Sequence, residues 1–308
     1  MRILADTKEL SREDWLKLRK NGIGGSDASA VCGLNPWRSP IDVYMDKTKE
    51  KIEDKDSEAM RVGRDLEDYV AQRFTEATGK KVRRMNAVLS HDEHEWMIAD
   101  LDRVIVGEDA LLECKTANAY KAEAWADGKV PEQYEIQCHH YMAVTGKKKV
   151  YIACLIMGID FVWRVIERDE EVINDLISIE KDFWENNVLA KRMPPPDGSE
   201  SAGNAIKEMY TSSREQTLDL SGLAGRMARY NDIELLVGSL KAEQEMIKQE
   251  IQLQMGEADT ALVGNRKVTW KSQKGRSSLD SKKLREELPD VYERYVKVSN
   301  PTRVFRIW

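Results

Sequence analysis

The stretch from Val104 to Lys115 leaves this chain little conformational choice. Val104, Ile105 and Val106 precede the dipeptide Gly107-Glu108, and Ala110, Leu111 and Leu112 follow it, so two apolar runs flank a turn. The pattern predicts two strands joined by a tight hairpin. The second strand runs on into Glu113-Cys114-Lys115. Side chains alternate along a strand, so Glu113 and Lys115 project from one face while Cys114 points to the other and leaves its carbonyl between them. Asp102, at the far end of the first strand, is expected beside Glu113. Glu and Lys two apart on a strand most often form a solvated charged face, so this grouping takes its meaning from what the rest of the chain adds.

The segment before the hairpin adds a third carboxylate. Val62, Leu66, Tyr69, Val70, Phe74 and Ala77 recur at helical spacing and Gly79 stands at the C-cap, which predicts a helix over 58–78 packed on the sheet. Glu67 lies one turn beyond Gly63 on it, a side-chain-free position that allows close approach. Carboxylates, a carbonyl and an ammonium around one point are what phosphodiester hydrolysis requires. Mg²⁺ takes hard oxygen ligands, usually one or two carboxylates with waters and substrate oxygens. A second ion about 3.5–4 Å away can stabilise attacking and leaving oxygens together, and a lysine beside the attacking water can orient it and offset developing charge.

The N-terminal region supplies an anion site. Ser11-Arg-Glu-Asp14 starts a helix with Trp15, Leu16 and Leu18 that ends near Asn21-Gly22. Gly22-Ile-Gly-Gly-Ser-Asp27 follows, and 26–33 reads as a second helix. Unpaired N–H groups at such a start favour a phosphate, with Ser26 there and Arg19 able to add a charge-assisted bond. No Gly-Lys-Ser/Thr follows the glycines, so this is not a P-loop.

Five ordered motifs together resemble the lambda exonuclease family, in particular its YqaJ-like viral recombinase branch, over roughly the first two thirds of the chain. They are Arg19…Ile23-Gly-Gly-Ser-Asp27, Pro36-Trp37…Ser39-Pro40, Gly63-Arg-Asp-Leu-Glu67, Asp102…Glu113-Cys-Lys115 and Pro131…Tyr134-Glu-Ile-Gln137…Tyr141-Met-Ala-Val-Thr-Gly146. The resemblance implies a PD-(D/E)xK, restriction-endonuclease-like nuclease core that degrades one strand of linear duplex DNA from its 5′ end. It also implies a ring-shaped trimer around double-stranded DNA ends, working with a phage single-strand annealing protein of the RecT/Redβ kind. By the same resemblance Glu67, Asp102, Glu113 and the Cys114 carbonyl hold two Mg²⁺ ions, which Mn²⁺ can replace, and Lys115 stands beside the attacking water. Arg19 and Ser26 hold the terminal 5′ phosphate, and Gln137 holds a water or a scissile phosphate oxygen. One position departs from the pattern: Asp100 stands where some relatives carry a phosphate-holding serine, so it receives no such role.

The full expectation is an α/β fold. A mixed sheet flanked by helices occupies residues 1–191, a linker 192–204, and a C-terminal extension 205–308 of a long amphipathic helix and a small basic α+β unit. The linker rests on Pro194-Pro-Pro-Asp-Gly198, which cannot continue a helix. Strands are expected over 82–89, 96–106, 110–116, 149–156 and 160–166, and helices over 11–21, 40–48, 131–145 and 169–190. In the extension, 223–255 reads as a long helix or coiled-coil hairpin, 263–270 and 302–308 as strands and 280–288 as a short helix. No apolar run approaches 18 residues and the start Met1-Arg-Ile-Leu-Ala-Asp6 is no signal peptide. The chain is therefore expected in the bacterial cytoplasm, with its four cysteines reduced, since their spacing suits neither zinc nor an iron–sulfur cluster.

A net charge of −6 looks unfavourable for DNA, but residues 261–308 carry twelve Lys and Arg against five Asp and Glu, so a basic surface is concentrated there. Trp270, Tyr292, Tyr295, Phe305 and Trp308 accompany it, more as a small core than as a base-stacking platform. His91 and His94 read as a solvated turn, and His139 and His140 as neighbours of Gln137 without a catalytic part. A sequence- or structure-specific endonuclease of the same fold, and a non-catalytic DNA-binding recombination module, remain open alternatives at this stage.

Overall fold

The computed structural model describes residues 1–50, 56–300 and 302–307. Two compact units divide it, Met1–Thr211 and Ser212–Trp308. The first contains two mixed sheets. One has the order β1 (Arg2–Asp6), β4 (Ala87–Ser90), β5 (Met97–Asp100), β2 (Ile23–Gly24); the other runs β3 (Val82–Arg83), β6 (Arg103–Ile105), β7 (Ala110–Ala117), β8 (Lys149–Ile156), β9 (Asp160–Glu167). Among the described residues only β2–β5 and β7–β8 are parallel pairs.

The expected strand over 96–106 is interrupted, because its halves belong to different sheets. Met97–Asp100 pairs with β4 and β2, whereas Arg103–Ile105 pairs with β3 and β7. Leu101 and Asp102 bridge the two, so Asp102 sits at the crease between sheets. Likewise the expected strand over 82–89 splits into β3 and β4 around Asn86, which has φ +48°. The N-terminal strand β1 was not foreseen. It pairs antiparallel with β4.

Helices cover both faces of β7. α4 (Glu58–Thr78), capped by Ser57 and ended by Gly79 at φ +71°, packs Val70, Ala71 and Phe74 on Leu112, Tyr151 and Ala153. α5 (Glu132–Thr145) packs Cys138, Tyr141 and Met142 with Leu111, Ile152 and Cys154 on the opposite face. Leu111 thus faces α5, and period-two alternation carries Glu113 and Lys115 to the same side. Cys114 joins Leu112 on the α4 side.

Around this core lie α1 (Arg12–Lys20), α2 (Gly25–Val31), α3 (Pro40–Thr48), α6 (Glu170–Asp182) continued by a π-helical turn Phe183–Leu189, and a 3₁₀ segment Ala119–Gly128. Ile23, Val31, Val43, Phe183, Trp184 and Val188 form a second cluster that ties α2 and α3 to the π turn.

The expected linker 192–204 is partly helical. Ser199 caps α7 (Glu200–Met209), whose Ala202 and Ala205 are buried with Ile41 of α3, while Ser201 donates to Asp42 at 2.7 Å. Small side chains three apart let α7 dock closely, so the first unit extends to Thr211.

The second unit contains a 3₁₀ turn Ser221–Leu223, α8 (Ala224–Met255), the antiparallel hairpin β10 (Thr260–Val263) and β11 (Arg266–Thr269), α9 (Ser281–Glu287) and α10 (Pro289–Tyr295). The strand expected over 263–270 is this hairpin, turning at Gly264 with φ +58°. Residues 302–307 adopt no strand and Trp308 lies outside the described residues.

Candidate nuclease-like site

The site begins with β7, which presents Glu113 and Lys115 toward α5. Lys115 Nζ donates to Glu113 Oε1 at 2.7 Å and to Gln137 Oε1 at 3.0 Å. Gln137 Nε2 donates to the same Glu113 oxygen at 2.8 Å and to the Tyr141 hydroxyl at 2.9 Å. The Lys115 ammonium also lies 4.8 Å from the centre of the Tyr134 ring. Glu113 and Gln137 are buried, so the lysine is held by a carboxylate, an amide and the Tyr134 ring.

Asp102 reaches the group from the crease, where its Oδ2 accepts the Cys114 N–H at 2.7 Å. Loss of hydration, then the neighbouring Glu113 and Glu67, hold its carboxyl well above the usual aspartate range. Glu113 is raised as well, first by burial, with Lys115 opposing. Burial would pull the Lys115 ammonium down, but Glu113 and Asp102 outweigh it and the group stays charged, above its ordinary range.

Two crowded carboxylates whose charged forms are disfavoured are what a hard cation would relieve. Mg²⁺ needs only one or two of them, the rest being water and substrate oxygens, so Asp102 and Glu113 fit such an ion. Among the described residues no three His, Cys, Asp or Glu side chains stand together as a complete ligand set. Glu67 is the reason the expected triad is not closed here. It lies within electrostatic reach of Asp102, but the buried Arg103 takes its carboxylate and that of Asp68.

Arg19 and Ser26 line the same cleft as Asp102, Glu113 and Gln137, a volume of about 160 Å³ that also includes Trp15, Asp100 and Tyr141. Arg19 donates to Ser26 Oγ at 2.9 Å, and its guanidinium lies over the Trp15 ring at 4.9 Å. Trp15 Nε1 in turn donates to Asp100 Oδ2 at 2.8 Å. Reduced hydration raises the Asp100 carboxyl, with Trp15 and Arg19 opposing. α2 has only seven residues, two fewer at its C-terminal end than expected, so its dipole adds little at Ser26 and the positive charge there is that of Arg19.

Behind this wall is a cluster that the sequence did not reveal. Asp27, wholly buried, accepts Arg38 and Arg19 on Oδ1, at 2.5 and 3.5 Å, and Lys47 and the Gly24 N–H on Oδ2, at 2.7 and 3.2 Å. Lys47 also donates to the Arg19 carbonyl at 2.7 Å. Burial would raise Asp27, but Lys47, Arg19 and Arg38 hold it well below the usual range. One carboxylate thus organises three cations. Its sequence signal was Asp27 itself, three positions after the N-cap Gly24 and the last residue of the Ile23-Gly-Gly-Ser-Asp27 motif; Arg38 and Lys47 look like ordinary surface residues. Gly25 has a spatial role, since a Cβ there would come within 2.5 Å of Tyr141 Cε1.

The histidines stay outside the cleft lining. His140 bridges Glu180, at 2.8 Å, and the Ile98 carbonyl, at 2.9 Å, in the interior. His139 is buried, and burial lowers it. His91 and His94 stack on each other at 4.9 Å.

The mixed α/β fold, with helices on both faces of β7, defines the class, and solved structures share that fold. The alkaline exonuclease LHK-Exo of Laribacter hongkongensis aligns with a TM-score of 0.51 at 21% identity, over 58% of this chain and 94% of that one. LHK-Exo in complex with dAMP aligns at 0.52, with the same identity and coverage. The description of a YqaJ-like viral recombinase domain matches residues 14–148. The uncharacterized protein YqaJ of Bacillus subtilis (strain 168) is 40% identical over 300 residues, 96% of this chain and 94% of that protein. The chain belongs to the YqaJ-like viral recombinase family.

Proposed function

We propose that this chain is a Mg²⁺-dependent 5′→3′ exonuclease acting on the ends of duplex DNA, in the cytoplasm of the bacterial host, during phage or prophage recombination. One observation carries the reading: Asp102 and the two partners of Lys115, Glu113 and Gln137, share a single cleft with the Arg19–Ser26 pair. A hydrolytic centre and an anion-holding pair in one space suit an enzyme that recognises a phosphorylated end and cuts close to it. Membership of a viral recombinase family and a fold shared with a bacterial alkaline exonuclease support the same reading.

In this scheme Arg19 and Ser26 grip the terminal 5′ phosphate by charge-assisted hydrogen bonds. Asp102, Glu113 and the Cys114 carbonyl would hold divalent cations, with Glu67 joining if Arg103 releases it. The ions, Mg²⁺ or Mn²⁺, would lower the pKa of bound water and neutralise phosphate charge. Lys115, locked by Glu113 and Gln137, orients the attacking water and offsets charge developing on phosphorus. Water adds to phosphorus and the P–O3′ bond breaks, leaving a nucleoside 5′-monophosphate, a 3′ overhang and a new phosphate on the next nucleotide. That phosphate is the group Arg19 and Ser26 recognise, so each turnover regenerates the substrate. A trimeric ring around DNA and a single-strand annealing partner of the RecT/Redβ kind belong to the same proposal.

Linear duplex carrying a 5′ or a 3′ label, incubated with Mg²⁺ or with EDTA, tests it. Early release of the 5′ label only with Mg²⁺ is the expected result. First loss of the 3′ label would overturn the polarity, cutting of covalently closed circles would point to an endonuclease, and inertness with both Mg²⁺ and Mn²⁺ would reduce the chain to a binding module.

A further inference from the structure

The long helix α8 carries an apolar seam that none of the described residues of its own unit buries. Every residue from Ala224 to Glu250 is exposed, including Ile233 at 44%, Leu240 at 54% and Ile247 at 48%. The seam is a heptad repeat. Tyr230, Val237, Gln244 and Ile251 recur every seven residues, and Ile233, Leu240, Ile247 and Gln254 recur between them. These are the a and d positions of a coiled coil. A groove of about 390 Å³ runs along it, lined by Val237, Leu240, Lys241, Glu243, Gln244 and Ile247. In heptad terms those residues are a, d, e, g, a and d, the side chains among which a facing helix inserts its own.

We infer that α8 pairs, parallel and in register, with α8 of a second copy of this chain. Three observations select this occupant. First, a parallel pair sets each g position against the e position five residues later on the other helix, which places Glu243 opposite Lys248 twice. An antiparallel pair centred on the same seam, with Gln244 facing Leu240, sets Lys241 against Lys241 and Glu243 against Glu243. Second, Gln244 is the one amide among the a positions Tyr230, Val237, Gln244 and Ile251. Only in the parallel, in-register pair does it meet another Gln244, whose amide can satisfy it; a shift of one heptad sets it against Val237 or Ile251 and leaves a buried amide unpaired. Third, an isolated helix gains little in water without a packed apolar face. Lys248 rests on Glu245 of its own helix at 3.1 Å, an exposed pair too weak to hold it from a better partner. The inference concerns α8 alone and depends neither on the chemistry proposed for the cleft nor on the proposed ring: three chains cannot share two-helix pairs equally, so such a pair joins chains of separate rings.

Cysteine cross-linking of the full-length protein tests it. The four native cysteines are half-buried or buried, and the unmodified chain serves as the blank. Val237→Cys, on the seam, is expected to give a disulfide-linked dimer severalfold faster under mild oxidation than Gln249→Cys, which faces outward at an f position. Adding Glu243→Lys should slow that cross-link severalfold, and adding Lys248→Glu as well should restore it. Circular dichroism would verify that each variant keeps its helix. Equal rates at Val237→Cys and Gln249→Cys would overturn the inference. So would a cross-link indifferent to Glu243→Lys, failure of the double charge exchange to restore it, or preferential linking of Val237→Cys with Ile247→Cys, the antiparallel signature.

Discussion

The ammonium of Lys115 and the side-chain amide of Gln137 meet at 3.0 Å, and both reach the same carboxylate oxygen of Glu113. Lys115 comes from β7 and Gln137 from α5, so the packing of a helix on a strand fixes the position of a charged group. Fixing it in advance is what makes such a group effective, because no reorganisation is then needed as charge develops.

Replacing Lys115 with Ala is expected to lower single-turnover cleavage of duplex DNA by about 10²–10³-fold, the scale of losing one preorganised donor. DNA affinity, measured by fluorescence anisotropy without divalent ions, should stay within a few-fold of the parent. An unchanged rate would contradict the assigned role.

Arg19→Ala is expected to weaken use of 5′-phosphorylated ends by about 10–100-fold in kcat/KM, corresponding to a charged hydrogen bond of about 1.5–3 kcal/mol. Ends carrying a 5′ hydroxyl should be nearly unaffected. Equal losses on both substrates would separate Arg19 from end recognition.

Asp27→Asn is expected to destabilise the fold by about 3–5 kcal/mol at neutral pH, because the buried Lys47 would lose its carboxylate and Arg38 the nearer of its two. Asp27 is depressed in the folded state, so its contribution is present above the unfolded aspartate pKa of about 3.9 and is lost as pH falls toward the folded value. Urea melts of parent and variant should therefore converge as pH drops from 5 toward 2. A gap that widens in acid would show the sign to be wrong.

Gly25→Ala introduces a methyl group where Tyr141 already lies, and overpacking of this kind costs about 1–3 kcal/mol. Tyr141 anchors Gln137, so catalysis should fall by more than stability explains at a temperature where the variant remains folded. A variant with lower Tm but full activity would confine Gly25 to a packing role.

Much of this architecture was legible along the chain. The boundaries of α3, α4, β8 and nearly all of β7 and α5 follow from hydrophobic spacing, Ser and Pro at helix starts and Gly at helix ends, all of which act within a few residues. Period two on β7 settled which side Glu113, Cys114 and Lys115 face, and the ordered motifs gave the family. What spacing could not give was anything decided by partners distant in sequence. The break at Leu101-Asp102 arises because β5 and β6 find neighbours in different sheets, and Arg103 claims Glu67 across a separation of 36 residues. Asp27, Arg38 and Lys47 look like three ordinary charged residues until folding removes water from around Asp27 and Lys47 and gathers all three beside Arg19. Local sequence sets backbone periodicity; the pairing of buried charges is a matter of desolvation, and only the assembled tertiary structure decides which groups lose solvent together.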